Sequence, residues 1–222
     1  MTLGETVTLP ARDPQWIQKI VLMGLIGLIP VAGAIQSAGW MLTYLDNLRA
    51  GGEQLPRAGF GYARRGWRLA VVGFCYLLTA LVVFYGSLFG FITLFVAVLP
   101  PPCHAPCERQ SSSAFPLVFF GASLALQGLF MLGYLLSHFL VVPVILATDR
   151  RGLAAGLNVV AAVAQVLKDS RSAAGAAVFV FVAYFLGGLG SYACIVGVIF
   201  TAAYGWAMVA AVTRWYELET AA

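Results

Sequence analysis

Four long stretches of this chain carry no charged residue: Ile20 to Leu45, Leu69 to Cys107, Gln110 to Thr148 and Ser172 to Thr213. Each exceeds the roughly 20 apolar residues a helix needs to cross about 30 Å of hydrocarbon. In the segment Leu117 to Leu136, LVFFGASLALQGLFMLGYLL, each Leu, Phe and Val favours insertion by about 0.3–0.6 kcal/mol, and no charge opposes them. Inside lipid every backbone N–H and C=O must bond within the protein, which a helix achieves alone. A membrane strand would alternate apolar and polar residues over about ten positions; these runs do not alternate.

Composition agrees. The 222 residues are 61% hydrophobic and 10% charged, with a mean hydropathy of +0.89. Soluble domains carry roughly 25% charged residues, and one that exposed this much apolar surface would associate or aggregate. The expected fold is all-α: a polytopic transmembrane bundle forming a single domain over residues 1–222. Its apolar stretches cover about residues 17–45, 67–99, 115–147 and 172–213.

The first and last stretches look broken. Pro30 and Gly33 interrupt the first; Gly187-Gly188-Leu189-Gly190 interrupts the last, which as one straight helix would reach about 60 Å. They are read as helix pairs, about 14–29 with 31–48 and about 172–186 with 191–213. That gives six helical segments, with four straight spans as the alternative. Pro143 predicts a kink near the end of the third stretch. Ala32-Gly33-Ala34 resembles a signal-peptide cleavage site, but the residues before the apolar run hold Asp13, Pro10 and Pro14 rather than a basic cluster.

Residues 150–169 differ in kind. Leu153, Leu157, Val160, Ala164 and Leu167 fall on one helical face, bracketed by Arg150, Arg151, Lys168 and Asp169. An amphipathic helix lying at the membrane interface is expected; a helix packed on the bundle is the alternative.

Basic residues mark cytoplasmic loops. Loops 46–68 and 150–171 hold nine of the 13 Lys and Arg, whereas 100–114 holds only Arg109. The protein is therefore expected in the inner (cytoplasmic) membrane with both basic loops in the cytoplasm. If both broken stretches turn back, 12 of the 13 share that side.

Little chemistry is visible. Proton relays and ion-coupled transporters place ionisable groups at membrane depth, and here only His138 is titratable there. It reads as an imidazole bonded to a neighbouring backbone group or Ser side chain, with a metal or haem ligand or a proton acceptor as the alternative. Cys103 and Cys107, in CHAPC, are expected outside the cytoplasm and to form a disulfide; free thiols or a metal site are the alternatives, the latter short of the four ligands of structural zinc. Cys75 and Cys194 read as packing residues. Gly39, Gly86, Gly90, Gly128, Gly133, Gly187, Gly190 and Gly197 would let helices approach closely. No phosphate loop, HExxH or Ser/His/Asp arrangement occurs, so no catalysis, cofactor or metal is expected. Arg49, Arg57, Arg64, Arg65 and Arg68, interleaved with Phe60, Tyr62 and Trp67, set topology and are candidates to grip lipid headgroups or an acidic partner. Nucleic acid is not an expected partner.

The run DPQWIQKIVLMGLIGLIPVAGAIQSAGWMLTYLDNLRAGGEQLP resembles the start of the family called domain of unknown function 4013, through Asp13, Trp16, Lys19, Pro30, Gly39, Trp40, Gly51, Leu55 and Pro56. The part from Pro143 to Cys194, Gly197 and Thr201 is similar too, while the CHAPC loop is not a family feature. The resemblance implies a membrane protein of unassigned activity and supplies no catalytic residues. The functional expectation is a non-enzymatic scaffold, assembly factor or accessory subunit contacting membrane lipids, other membrane proteins or further copies of itself. The alternative is a transporter or channel for an uncharged or weakly polar solute, using Gln36, Ser37, Ser191 and Thr201 at the two helix breaks.

Overall fold

The computed structural model describes residues 2–98 and 114–221, and among these the chain is helical with no strand. A short helix α1 (Glu5–Thr8) and a 3-10 turn (Leu9–Arg12) precede α2 (Trp16–Gly27) and α3 (Ala32–Arg49). The long helices α4 (Ala63–Val98) and α5 (Ala114–Arg151) follow, then α6 (Leu153–Gly156), α7 (Val159–Lys168), α8 (Ser170–Leu189), a 3-10 turn (Gly190–Ala193) and α9 (Cys194–Ala221). Residues 1–74 with 136–222 form one compact unit and residues 75–135 another.

Both broken stretches are interrupted where expected. Between α2 and α3, Val31 has φ 62° and ψ −58°, and Ala32 N–H donates to the Pro30 carbonyl at 2.6 Å. This is the rare positive-φ γ-turn, strained for a β-branched residue. Pro30 brings no N–H to continue α2. In the last stretch the 3-10 turn separates α8 from α9.

Among the described residues four helical segments are long and apolar enough to cross a membrane: Ala63–Thr93, Phe119–Arg151, Ser170–Tyr192 and Val196–Ala221. The last stretch thus yields two candidate spans and the first yields none. α2 has 12 residues, about 18 Å of helix. α3 carries Gln36, Ser37, Thr43, Asp46, Asn47 and Arg49, which lower its hydropathy. α5 continues through Pro143.

The segment 150–169 is not one helix. α5 runs on to Arg151 and stops at Gly152, whose φ of 89° an L side chain rarely adopts. α7 starts afresh after Asn158, whose Oδ1 accepts from Ala161 N–H at 3.0 Å as an N-cap.

In the larger unit α9 is the central post, with α2, α3 and α8 packed against it. One apolar cluster joins Ile20 and Met23 of α2, Trp40, Met41, Tyr44 and Leu45 of α3 and Ala207, Met208 and Ala211 of α9. A second joins Val142 and Leu146 of α5, Ala173, Ala176 and Val180 of α8 and Val212 and Tyr216 of α9. In the smaller unit the described stretches of α4 and α5 touch through Phe84 and Phe130, ring centroids 4.7 Å apart, and through Phe91 and Phe119 at 6.0 Å.

Candidate functional site

The ends of four helices meet in a cluster of charge. Arg49, in the last turn of α3, donates from Nη2 to Glu217 Oε1 at 2.5 Å and from Nε to Oε2 at 3.1 Å. Its Nη1 reaches Asp149 Oδ2 at 2.8 Å and Asp46 Oδ1 at 3.0 Å. Arg65, in the first turn of α4, binds both Asp46 oxygens and lies 2.6 Å from Asp149 Oδ1. Arg150 donates to Glu217 Oε1 at 2.6 Å, and Arg214 Nη1 lies 3.4 Å from Oε2. The Asp149 and Glu217 side chains are each only 3% exposed.

Burying two carboxylates is costly unless each is paired and hydrogen-bonded, and Arg49, with its planar fork, serves both. Glu217 and Asp149 hold the Arg49 guanidinium above the already high arginine range, the hydrogen bonds to Glu217 leading and burial opposing. The cluster fixes the ends of α3, α4, α5 and α9 together.

A second lock closes the base of α2. The buried Asp13 carboxylate accepts from Lys19 Nζ at 2.7 Å and from the backbone N–H groups of Gln15 and Leu55, each at 2.8 Å. Lys19 also donates to the Leu55 carbonyl at 2.7 Å. Burial would raise the carboxyl, but these hydrogen bonds outweigh it and hold Asp13 below its ordinary value of 3.8. The lock ties the start of α2 to the loop after α3, so the two helices run out and return to the same end.

The polar residues proposed as neutral ligands are engaged in the fold. Gln36 donates to the Phe60 carbonyl at 2.7 Å and accepts from Tyr62 N–H at 2.9 Å. Thr201 Oγ1 lies 2.9 Å from the carbonyls of both Gly187 and Gly197, its single proton shared between them, and Ser191 donates to that of Gly188 at 2.6 Å. Ser37 is buried. His138, 4% exposed, sits edge-on between Phe181 and Tyr184, ring centroids 5.5 and 5.6 Å away. Among the described residues no group of three His, Cys, Asp or Glu gathers in a metal-holding arrangement.

The five loop arginines divide. Arg49 and Arg65 are built into the cluster, whereas Arg57 and Arg64 are exposed and form no ion pair among the described residues. Arg68 lies over the Trp67 ring at 5.7 Å. Cys103, Cys107 and Arg109 lie outside the described residues. The sequence reading missed the acidic partners Asp46, Asp149 and Glu217. Their signal was available: Asp46 with Arg49 and Arg214 with Glu217 stand three apart at the ends of apolar stretches, and Asp149 precedes Arg150. Beside the cluster a cleft of about 410 Å³ is lined by Leu146, Arg150, Arg151, Gln165, Glu217 and Thr220.

Apolar helices, four of them among the described residues long enough to cross a bilayer, with charge gathered where the ends of α3, α4, α5 and α9 meet, define a multi-pass membrane protein. The chain belongs to the family described as Protein of unknown function (DUF4013), whose model matches residues 22–196. Pro30, Gly39, Trp40, Gly51, Leu55 and Pro56 lie inside that match; Asp13, Trp16 and Lys19 lie before it, and Gly197 and Thr201 beyond it. No curated protein and no solved structure matches the chain.

Proposed function

We propose that this is a non-catalytic protein of the cytoplasmic membrane, a scaffold, assembly factor or accessory subunit that works through protein and lipid contacts at its charged end, with that end in the cytoplasm. The observation that carries the reading is the use made of the polar side chains. Asp13, Asp149 and Glu217, the buried carboxylates, are held by Lys19 or by arginines. Gln36, Ser191 and Thr201 bond backbone groups. A proton relay or nucleophile needs a group free to change partners, and these groups hold the fold instead. The exposed Arg57, Arg64, Arg68 and Arg151 remain for contacts with acidic surfaces, and their excess supports the cytoplasmic orientation.

The transporter reading draws on the breaks at Pro30 and Gly190, where half-helices build substrate sites in other folds. The engagement of Gln36, Ser191 and Thr201 with backbone weighs against it. Gentle capture of the tagged protein from its native membrane, read by mass spectrometry, tests the proposal. A stoichiometric partner protein is expected. Capture of lipids and self-copies alone would sink the subunit reading, and flux of small neutral solutes into proteoliposomes would favour the transporter.

A further inference from the structure

Of the stripe read from the sequence, α7 presents Val160, Ala164 and Leu167 outward. Val160 is 80% and Leu167 73% exposed, with Val163 and Leu157 also exposed, whereas Ala162 is buried and Val166 packs on the cluster formed by α5, α8 and α9. Two anchors set the height of this stripe. α7 lies on the connection from the end of α5 to the start of α8, and Leu146 near that end packs with Ala173 near that start, in one cluster with Trp215. Both neighbouring candidate spans thus terminate at the charged end, and α7, ten residues long, lies between their termini. A stripe at that level meets either water or the boundary between headgroups and acyl chains.

Its flanks decide what it meets. Arg151 precedes α6 and α7, and Lys168 and Arg171 follow the stripe; all three are exposed and form no ion pair among the described residues. Asp169 is the acid beside them, so this connection carries excess positive charge. An outward apolar stripe flanked by unpaired cations complements an anionic leaflet, the apolar side entering the acyl boundary and the cations meeting phosphates.

We propose that α7, with Leu157 just before it, is an anionic-lipid sensor: Leu157, Val160, Val163 and Leu167 enter the interface, and Arg151, Lys168 and Arg171 bind phospholipid phosphates. This rests on the reading above only in taking the charged end as the cytoplasmic, working face. It also moves the principal headgroup contacts from the loop 46–68 to the connection between α5 and α8.

The test is amide hydrogen exchange of the full chain in nanodiscs of phosphatidylcholine alone and in nanodiscs where a minority of the lipid is phosphatidylglycerol. Exchange across residues 159–168 should slow by about tenfold in the anionic discs, and added salt should shrink the difference. The triple variant Arg151→Gln, Lys168→Gln, Arg171→Gln removes no ion pair found among the described residues and should abolish the difference while leaving exchange in α9 unchanged. Equal exchange in both discs would overturn the proposal. So would protection that follows the number of protein copies per disc, since a second copy would then cover the stripe. Exchange reads lipid and native capture reads protein partners, so the two proposals fail separately.

Discussion

In the unit of residues 1–74 and 136–222, the glycines where helices cross are contact points, although others such as Gly59, Gly73 and Gly188 face open space. A side chain at Gly39 would strike the Tyr62 carbonyl and the backbone of Gly66, one at Gly66 the Ile35 carbonyl, and one at Gly24 the Ile199 carbonyl. In the unit of residues 75–135, Gly86, Gly90, Gly121, Gly128 and Gly133 have no described residue within 4 Å of where a side chain would start. The first unit holds every ion pair found among the described residues, whereas the described part of the second contains no charged residue. Its side chains Leu81, Val82, Phe89, Phe120, Leu129 and Met131 are all exposed. Glycine spacing alone therefore does not mark packing in a membrane protein. In lipid, apolar side chains gain little by meeting one another, and close approach occurs where polar groups or backbone carbonyls fix the helices.

Removal of the cluster's hub should break this contrast most severely. Arg49→Ala leaves Asp149 and Glu217 buried without their shared partner, and should lower stability by about 3–5 kcal/mol, measured by thermal unfolding in detergent. Gly39→Leu and Gly24→Leu drive a side chain into backbone and should each cost about 3 kcal/mol. Gly86→Leu and Gly128→Leu in the other unit should stay within about 0.5 kcal/mol; equal losses in both units would erase the comparison.

Asp13 supplies a pH test within the first unit. Its carboxyl lies below its ordinary value of 3.8 in the fold, so its contribution is present above about that pH and is lost as pH falls through the folded value. Asp13→Asn should cost about 2 kcal/mol at neutral pH, with the difference from the unsubstituted protein shrinking in acid. A constant difference down to the most acid pH at which the protein folds would remove Asp13 from the lock. A smaller effect, of opposite sign, is expected at the tip of the α2–α3 pair, where Val31→Gly relieves the positive-φ strain and should stabilise by about 1 kcal/mol. Loss of stability there would mean that the γ-turn is held by contacts of Val31 itself.

The helices were legible because continuous apolar runs and prolines act locally. Pro30 and the glycines at 187–190 marked both breaks to within a few residues. The stripe of α7 was legible for the same reason, but its division from α5 at Gly152 was not, because a single glycine in a helical pattern does not reveal its φ. The site was legible only in half. Counting arginines for topology found Arg49 and Arg65, but pairing them with Asp149 and Glu217 requires knowing that residues 100 and 168 positions away come together. The packed Gly39 and the open Gly86 look alike along the chain, because the difference lies in what faces them.

The most direct measurement is a double-substitution cycle between Arg49 and Glu217 in the reconstituted full chain, using Arg49→Met, Glu217→Met and the pair. The expected result is a coupling of about 1–3 kcal/mol, with the double variant more stable than Arg49→Met alone because Glu217 is no longer buried without its main partner. Effects that add to within about 0.5 kcal/mol would contradict the claim that the cluster holds the helix ends together.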